Sequence, residues 1–307
     1  MCAYCGTYSR LDRVFCVGCG RRLLKPSQDV LRVEDFASEA DRSSLETLKA
    51  TEPLPHLVER LTPFRQEQSE TWLMKNGTRI RPTSKLDTLI RGCAEILGVE
   101  RLPRAYIAPS DQANAFTTGK DDDPMLVLCS PLLDILDYVE MEGLVSHELA
   151  HVRSRHVLYH SLAETVASGV QMAASPLGAG LLSIPIKMIL LSWYRESEVS
   201  ADRASLLILG NYGVFESIMA KLAAADETGG AAAVRDGSMA ELMQTHPSIQ
   251  GRLRLAKEFG SSRDYALARG RVLAAAASSS SMSACRYCGF VSPRAEVFCP
   301  SCSLGRS

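Results

Sequence analysis

The sequence predicts an α+β fold: a mostly helical domain with a small antiparallel sheet, carrying a small cysteine-bearing module at each end. Three observations predict it. Apolar residues at helical spacing fill most of the chain between residues 54 and 273, short strand-like runs cluster between residues 105 and 130, and eight of the ten cysteines sit in four CxxC pairs at the two ends. The 307 residues allow one core domain of about 200 residues plus appendages. Apolar content of 46% and charged content of 22% are those of a folded chain. A net charge of −1 sets up no global field toward nucleic acid or an anionic membrane, so either partner would have to meet a local patch.

The two ends repeat each other. Cys2 to Gly20 aligns without a gap on Cys285 to Ser303, with nine of nineteen positions identical, among them all four cysteines. Each copy is CxxC, ten residues, CxxC. A CxxC turn presents two thiolates to one ion, and a second pair completes a tetrahedral four-thiolate site. Cys2, Cys5, Cys16 and Cys19 at one end, and Cys285, Cys288, Cys299 and Cys302 at the other, are therefore read as ligands of two zinc ribbons with two structural zinc ions. A redox-active CxxC would need one pair in a strand-to-helix context. Zinc-type cysteine pairs, with no charged segment leading into an apolar run at MCAYCGT, predict a reducing, cytoplasmic setting. Arg10, Arg13, Arg21, Arg22 and Lys25 near one ribbon, and Arg286, Arg294 and Arg306 near the other, are modest basic charge with little aromatic interleaving. The ribbons read as protein-docking or stabilising modules in preference to nucleic-acid readers.

The expected organisation is a ribbon at 1–25, a helical linker region at 26–53, the main domain at 54–273, a flexible linker at 274–284 (AAAASSSSMSA) and a second ribbon at 285–307. Asp29 to Leu61 reads as helical and charged. Ile80 to Gly98 carries an amphipathic helix closed by Gly98. AYIAP, NAFTTG and MLVLCS read as short strands, with KDDDP as a turn. A helix begins at Pro131 with Ser130 as its cap, and a second helical run spans roughly Glu140 to Tyr159. Another helix covers Glu196 to about Leu209, followed by a break at NYG, a helix from Val214 to Ala225, a loop at TGGAAAVRDG, and a helix from Ser248 to Phe259. Cys93 and Cys129 have no neighbouring partners and read as small buried apolar residues.

The long apolar stretch from Val166 to Tyr194 carries Lys187 as its only charge before Arg195, and Pro176 and Pro185 divide it. Neither half offers the roughly 20 uninterrupted apolar residues that span a bilayer. A pair of buried helices against the main domain is expected, with peripheral membrane contact through a short apolar hairpin as the competing reading.

The chemistry centres on VSHELAHVRSRH, Val145 to His156. Helix positions i and i+4 share a face, so His147 and His151 can offer ring nitrogens to one ion, while Glu148, about 100° round, reaches an adjoining position. That is the arrangement of metal-assisted hydrolysis, with Glu148 as general base. A surface helix with scattered His and Glu would spell the same letters, so a third ligand is needed. WYRESEVSADRA offers Glu198 and Asp202, again i and i+4: one can ligate while the other accepts the ring N–H of a ligand histidine. His156 and His160 are also i and i+4, but with no carboxylate beside them they read as structural or solvent-facing.

HELAH followed by RESEVSAD resembles the HtpX and CAAX-prenyl-protease family of gluzincin zinc metallopeptidases, over roughly Leu54 to Ala268. The resemblance implies a zincin-type domain with one catalytic zinc. It implies His147, His151 and Glu198 as ligands, Glu148 as base, and Asp202 as the partner that holds a ligand histidine. NAF resembles the family's substrate-pairing edge strand, which implies Asn114, Ala115 and Phe116 as contacts for an extended protein or peptide substrate. HPSIQGR resembles its HP…R element, which implies His246 as an oxyanion stabiliser and Arg252 as a support of the site. The expected function is a zinc endopeptidase. The alternative is a catalytically silent scaffold of the same fold that binds a partner protein through its ribbons.

Overall fold

The computed structural model describes residues 30–167, 184–228, 248–278, 282–284 and 291–293. The expected ribbon cysteines and His246 lie outside these residues, as do residues 279–281 of the expected flexible linker and 168–183 of the apolar stretch, while the rest of that linker is the end of a helix and a short strand, which corrects the flexible reading there. In chain order the helices are α1 (Val33–Phe36), α2 (Glu39–Ala50), α3 (Leu54–Asn76), α4 (Lys85–Ile96), α5 (Leu132–Ile135) and α6 (Tyr138–Arg153). They continue with α7 (Val157–Ala167), α8 (Ile184–Leu209), α9 (Tyr212–Thr228), α10 (Ile249–Gly260) and α11 (Arg263–Ser278). The strands are β1 (Thr78–Arg79), β2 (Arg104–Ala108), β3 (Ala115–Lys120), β4 (Asp123–Cys129), β5 (Met282–Ala284) and β6 (Val291–Pro293).

The main sheet has the order β1-β2-β4-β3 and is mixed, which corrects the expected antiparallel sheet. β3 and β4 form an antiparallel hairpin across the acidic turn, where Gly119 adopts a left-handed φ of 101°. β2, however, pairs parallel to β4, with Arg104 opposite Met125 and Ala108 opposite Cys129. The reason is burial. Met125 to Leu128 are all at 0% exposure, so β4 belongs at the centre with a neighbour on each side, and the hairpin takes only one of them. This leaves β3 at the edge. β5 and β6 pair antiparallel as a separate two-stranded unit.

Helix boundaries follow local chemistry. Asp137 caps α6, its carboxylate accepting from the N–H groups of Val139 and Glu140 while Glu140 answers to the Asp137 N–H. The expected helix start at Pro131 is the single turn α5, which Ser130 does not cap. Gly98 follows the end of α4 at a φ of 68°, as its C-terminal position requires. Cys93 and Cys129 are buried.

Two expected helices differ in extent. The run from Glu140 to Tyr159 is broken: α6 ends at Arg153, Arg155 takes a φ of 58°, and α7 starts at Val157. In the other direction, the helix expected from Glu196 is already present twelve residues earlier, at Ile184, where the described residues resume, and Pro185 lies within it. Among the described residues no helix is long and apolar enough to cross a membrane.

α6 and α8 pack along each other at the centre, with α4, α9, α10 and the sheet around them. One core cluster joins Leu149 and Ala150 of α6 to Ala201 and Leu207 of α8. Leu31 and Phe36 belong to it, and Leu45 and Leu48 of α2 join Trp193 and Tyr194 in a second cluster. Residues 30–50, expected as linker, are thus packed into the core along α8.

Candidate metal centre

α6 is buried along nearly its whole length, from Val139 to Val152. Its polar residues therefore need partners, and α8 supplies them. His147 Nε2 and His151 Nε2 lie 3.2 Å apart. Glu198 of α8 faces both, Oε2 at 3.5 Å from His147 and Oε1 at 3.4 Å from His151. All three side chains are nearly inaccessible, and their donor atoms lie within 4.8 Å of one another.

Behind this triad, Asp202 Oδ1 lies 3.1 Å from His147 Nδ1. The Asp202 carboxylate also accepts two bonds from Arg252 of α10, Nε at 2.7 Å and Nη2 at 2.5 Å. Arg252 Nη1 is 3.6 Å from Glu198. Burial disfavours the charge on Asp202, but Arg252 and His147 outweigh it and hold the carboxyl below its usual range. An ionised Asp202 accepts a hydrogen bond from the Nδ1–H of His147, which leaves the Nε2 lone pair turned to the centre.

Two imidazole lone pairs 3.2 Å apart, faced by a carboxylate, repel unless a positive charge sits among them. The protonation pattern records this. Burial works against a charged His147, yet Asp202 and Glu198 overcome it and push the pKa up to about 10. His151 goes the other way, to about 4, because burial outweighs the help of Glu198. The donor set of two nitrogens and one carboxylate oxygen fits zinc.

Glu148 lines the same cleft, of about 500 Å³, and its Oε2 accepts a bond from Thr117 Oγ1 of β3 at 3.3 Å. Asn114, Ala115 and Phe116 line it too, and Ala115 and Phe116 open edge strand β3. Phe116 is 38% exposed at the cleft. Apolar side chains of α6 and α9, including Leu144, Ile218 and Met219, form another part of the wall.

The structure therefore brings His147, Glu148, His151, Glu198, Asp202, Arg252 and the strand at Asn114–Phe116 to one cleft. Of the two readings open for His156 and His160, structural or solvent-facing, burial favours the first. Both are buried, which overturns the solvent-facing reading, and His156 Nε2 lies 3.3 Å from the carboxylate of Asp41. His160 Nε2 bonds Ser197 Oγ at 2.7 Å. Sequence reasoning also missed Thr117, one residue beyond the strand element singled out, and Trp193, whose Nε1 donates to Asp41 Oδ1 at 2.9 Å.

Helices packed on a small mixed sheet, with a buried two-histidine, one-carboxylate cluster at an open cleft, define a candidate metalloprotein. The chain belongs to peptidase family M48, whose model matches residues 81–259, more than half of its length. It is 29% identical over 201 residues to the plastoglobule-localized metallopeptidase 48 of Arabidopsis thaliana, covering 63% of this chain and 56% of the plant protein. It is 31% identical over 189 residues to a protease HtpX homolog of Acaryochloris marina, covering 50% of this chain and 64% of that protein. A protease HtpX homolog of Pelotomaculum thermopropionicum is 29% identical over 220 residues, 58% of this chain and 78% of the relative. The match thus spans little more than half of the plant protein and under two thirds of the first HtpX homolog.

Proposed function

We propose that the chain is a zinc-dependent endopeptidase acting on protein substrates. His147, His151 and Glu198 hold the ion, and Asp202, fixed by Arg252, holds His147. A bound zinc supplies polarisation of the scissile carbonyl and a lowered pKa for the attacking water. Glu148 accepts that water's proton and delivers it to the leaving amine, while Thr117 aims its carboxylate. The substrate lies extended along β3, its backbone pairing with the open edge at Asn114–Phe116. His246, two residues before Ser248 caps α10, is assigned to the developing oxyanion. The cysteine modules, at 1–25 and 285–307, are zinc ribbons that dock protein partners, in a cytoplasmic chain with no nucleic-acid role. Membrane contact, where it occurs, is peripheral and through the apolar stretch 166–194.

The observation that carries this reading is the convergence of Glu198 on both histidine Nε2 atoms, at 3.4 and 3.5 Å, in a chain of a peptidase family. The relatives named above are called metallopeptidase or protease, which points the same way.

The test is cleavage of denatured casein by wild type and by Glu148→Gln, with zinc counted in both. We expect turnover to fall by about 10²- to 10⁴-fold with zinc retained. About three zinc ions fit the ribbon-flanked enzyme. About two, with no turnover in either sample, would move the chain to the silent scaffold.

A further inference from the structure

We propose that Asp41 of α2 is a positioning residue of the metal centre: through His156 it fixes the ring tautomer of His151 and so presents the His151 Nε2 lone pair to the ion. The inference rests on the endopeptidase reading. It extends the centre to an N-terminal helix outside the residues that match the family.

The break in the active-site helix makes this relay. In an unbroken helix His156, five residues after His151, would point about 140° away from it. The left-handed turn at Arg155 instead folds the chain back, and the His156 N–H bonds the His151 carbonyl at 3.0 Å. The ring follows: His156 Nδ1 lies 3.1 Å from His151 Nδ1. Two facing Nδ1 atoms make one hydrogen bond only if one carries a proton and the other a lone pair.

Asp41 decides which. Its Oδ2 lies 3.3 Å from His156 Nε2, so the His156 proton belongs on Nε2 and Nδ1 is left as acceptor. His151 Nδ1 must then be the donor, and its Nε2 is bare on the side of His147 and Glu198. Asp41 is itself held from three sides. Trp193 Nε1 donates to Oδ1, Ser38 Oγ accepts the Asp41 N–H at 3.0 Å, and the Ser38 N–H bonds Ser200 Oγ of α8 at 3.0 Å. The side chain of Asp41 is 1% exposed, with the Trp193 donor on Oδ1 and His156 Nε2 3.3 Å from Oδ2, the oxygen that no other donor reaches.

The rings of His151, His156 and His160 also bring their nitrogens within 4.8 Å of one another, an arrangement that a second ion would suit. The experiment separates the two readings. The full chain is equilibrated against a series of chelator-buffered free-zinc concentrations, and retained zinc is counted by elemental analysis, with a thermal melt on each sample. His151→Ala identifies the histidine site as the zinc step that disappears. We expect that step to be a single ion and to move to about 10- to 100-fold higher free zinc in Asp41→Asn and in His156→Leu. His156→Asn, whose amide oxygen falls near the lost Nδ1, should restore most of the affinity without help from Asp41. A role confined to packing would lower the melts of His156→Leu and His156→Asn alike and shift neither step.

An unmoved step in Asp41→Asn and His156→Leu overturns the proposal while leaving the metal centre standing. Loss of two ions in His151→Ala overturns it in favour of a second cation. If His151→Ala loses no ion, the endopeptidase reading itself fails. Should Asp41→Asn not fold, the contrast between His156→Leu and His156→Asn still decides.

Discussion

His147 and His151 meet at 3.2 Å from the same helix, yet their far sides are held by opposite means. His147 leans on charge: Asp202 of α8 locked by Arg252 of α10, both inside the residues that match the family. His151 leans on a second imidazole, and the chain of contacts ends on Asp41 of α2, well before that match begins. One anchor is a short, bidentate ion pair. The other is a relay of rings whose order depends on a helix outside the family segment. On the proposed reading each device orients one ligand, and the two should fail differently when their outermost member is removed.

The sharpest way to break the comparison is Arg252→Leu. Asp202 is 2% exposed, and without the guanidinium it is left buried with only His147 beside it. Breaking a buried pair from one side costs about 3–5 kcal/mol, so urea unfolding should show a loss of that size. A loss below about 1 kcal/mol, the scale of an exposed pair, would mean that the ion pair is dispensable to the His147 side.

The corresponding cut on the His151 side is Trp193→Phe. It keeps an aromatic ring but removes the Nε1 donor to Asp41 Oδ1 and the pyrrole half of a fully buried indole. The lost bond accounts for about 1–3 kcal/mol, less than the Arg252→Leu loss because His156 still faces the other oxygen, and the vacated volume adds a cavity cost that Trp193→Leu measures without the donor. A bond loss equal to that of Arg252→Leu would erase the distinction between a charged and a relayed anchor.

The unequal legibility of the two anchors has a physical reason. His147, Glu148, His151, Glu198 and Asp202 sit at i, i+1 and i+4 spacings on two helices, and that periodicity survives in the sequence. Arg252 came only from a resemblance, because a lone arginine in a charged helix carries no pattern. Asp41 was invisible. EADRSSLETLKA reads as a solvated charged helix, and what buries Asp41 is α8, more than 150 residues away. The parallel pairing of β2 with β4 was hidden for a similar reason: neighbouring strands suggest a meander, and only the complete burial of β4 puts it between them.

A gentler perturbation acts on the frame that carries Asp41. Ser38 caps α2 by accepting the Asp41 N–H, so Ser38→Ala frees the very residue on which the relay ends. The loss should be about 1 kcal/mol by thermal unfolding, the usual worth of such a cap. Wild-type stability in this variant would show that the Ser38–Ser200 backbone contact alone seats the helix.

The last prediction concerns the start of α6, where Glu140 sets the helix that both histidines share. Burial opposes its charge, but Lys221, Ser217 and the Asp137 N–H outweigh that and hold its carboxyl below the usual glutamate range. A carboxylate depressed in the folded state contributes stability that is complete above its unfolded pKa, about 4.3, and fades as pH falls through the lower folded value. Melts of Glu140→Gln against wild type should therefore differ at neutral pH and converge as the solution is made acid. Asp202, also depressed, remains in both samples, so the difference isolates Glu140. A gap that stayed constant down the acid limb would show that the Glu140 contacts act through shape and not charge. In that case the electrostatic support of α6 would rest on the His147 side of the site alone.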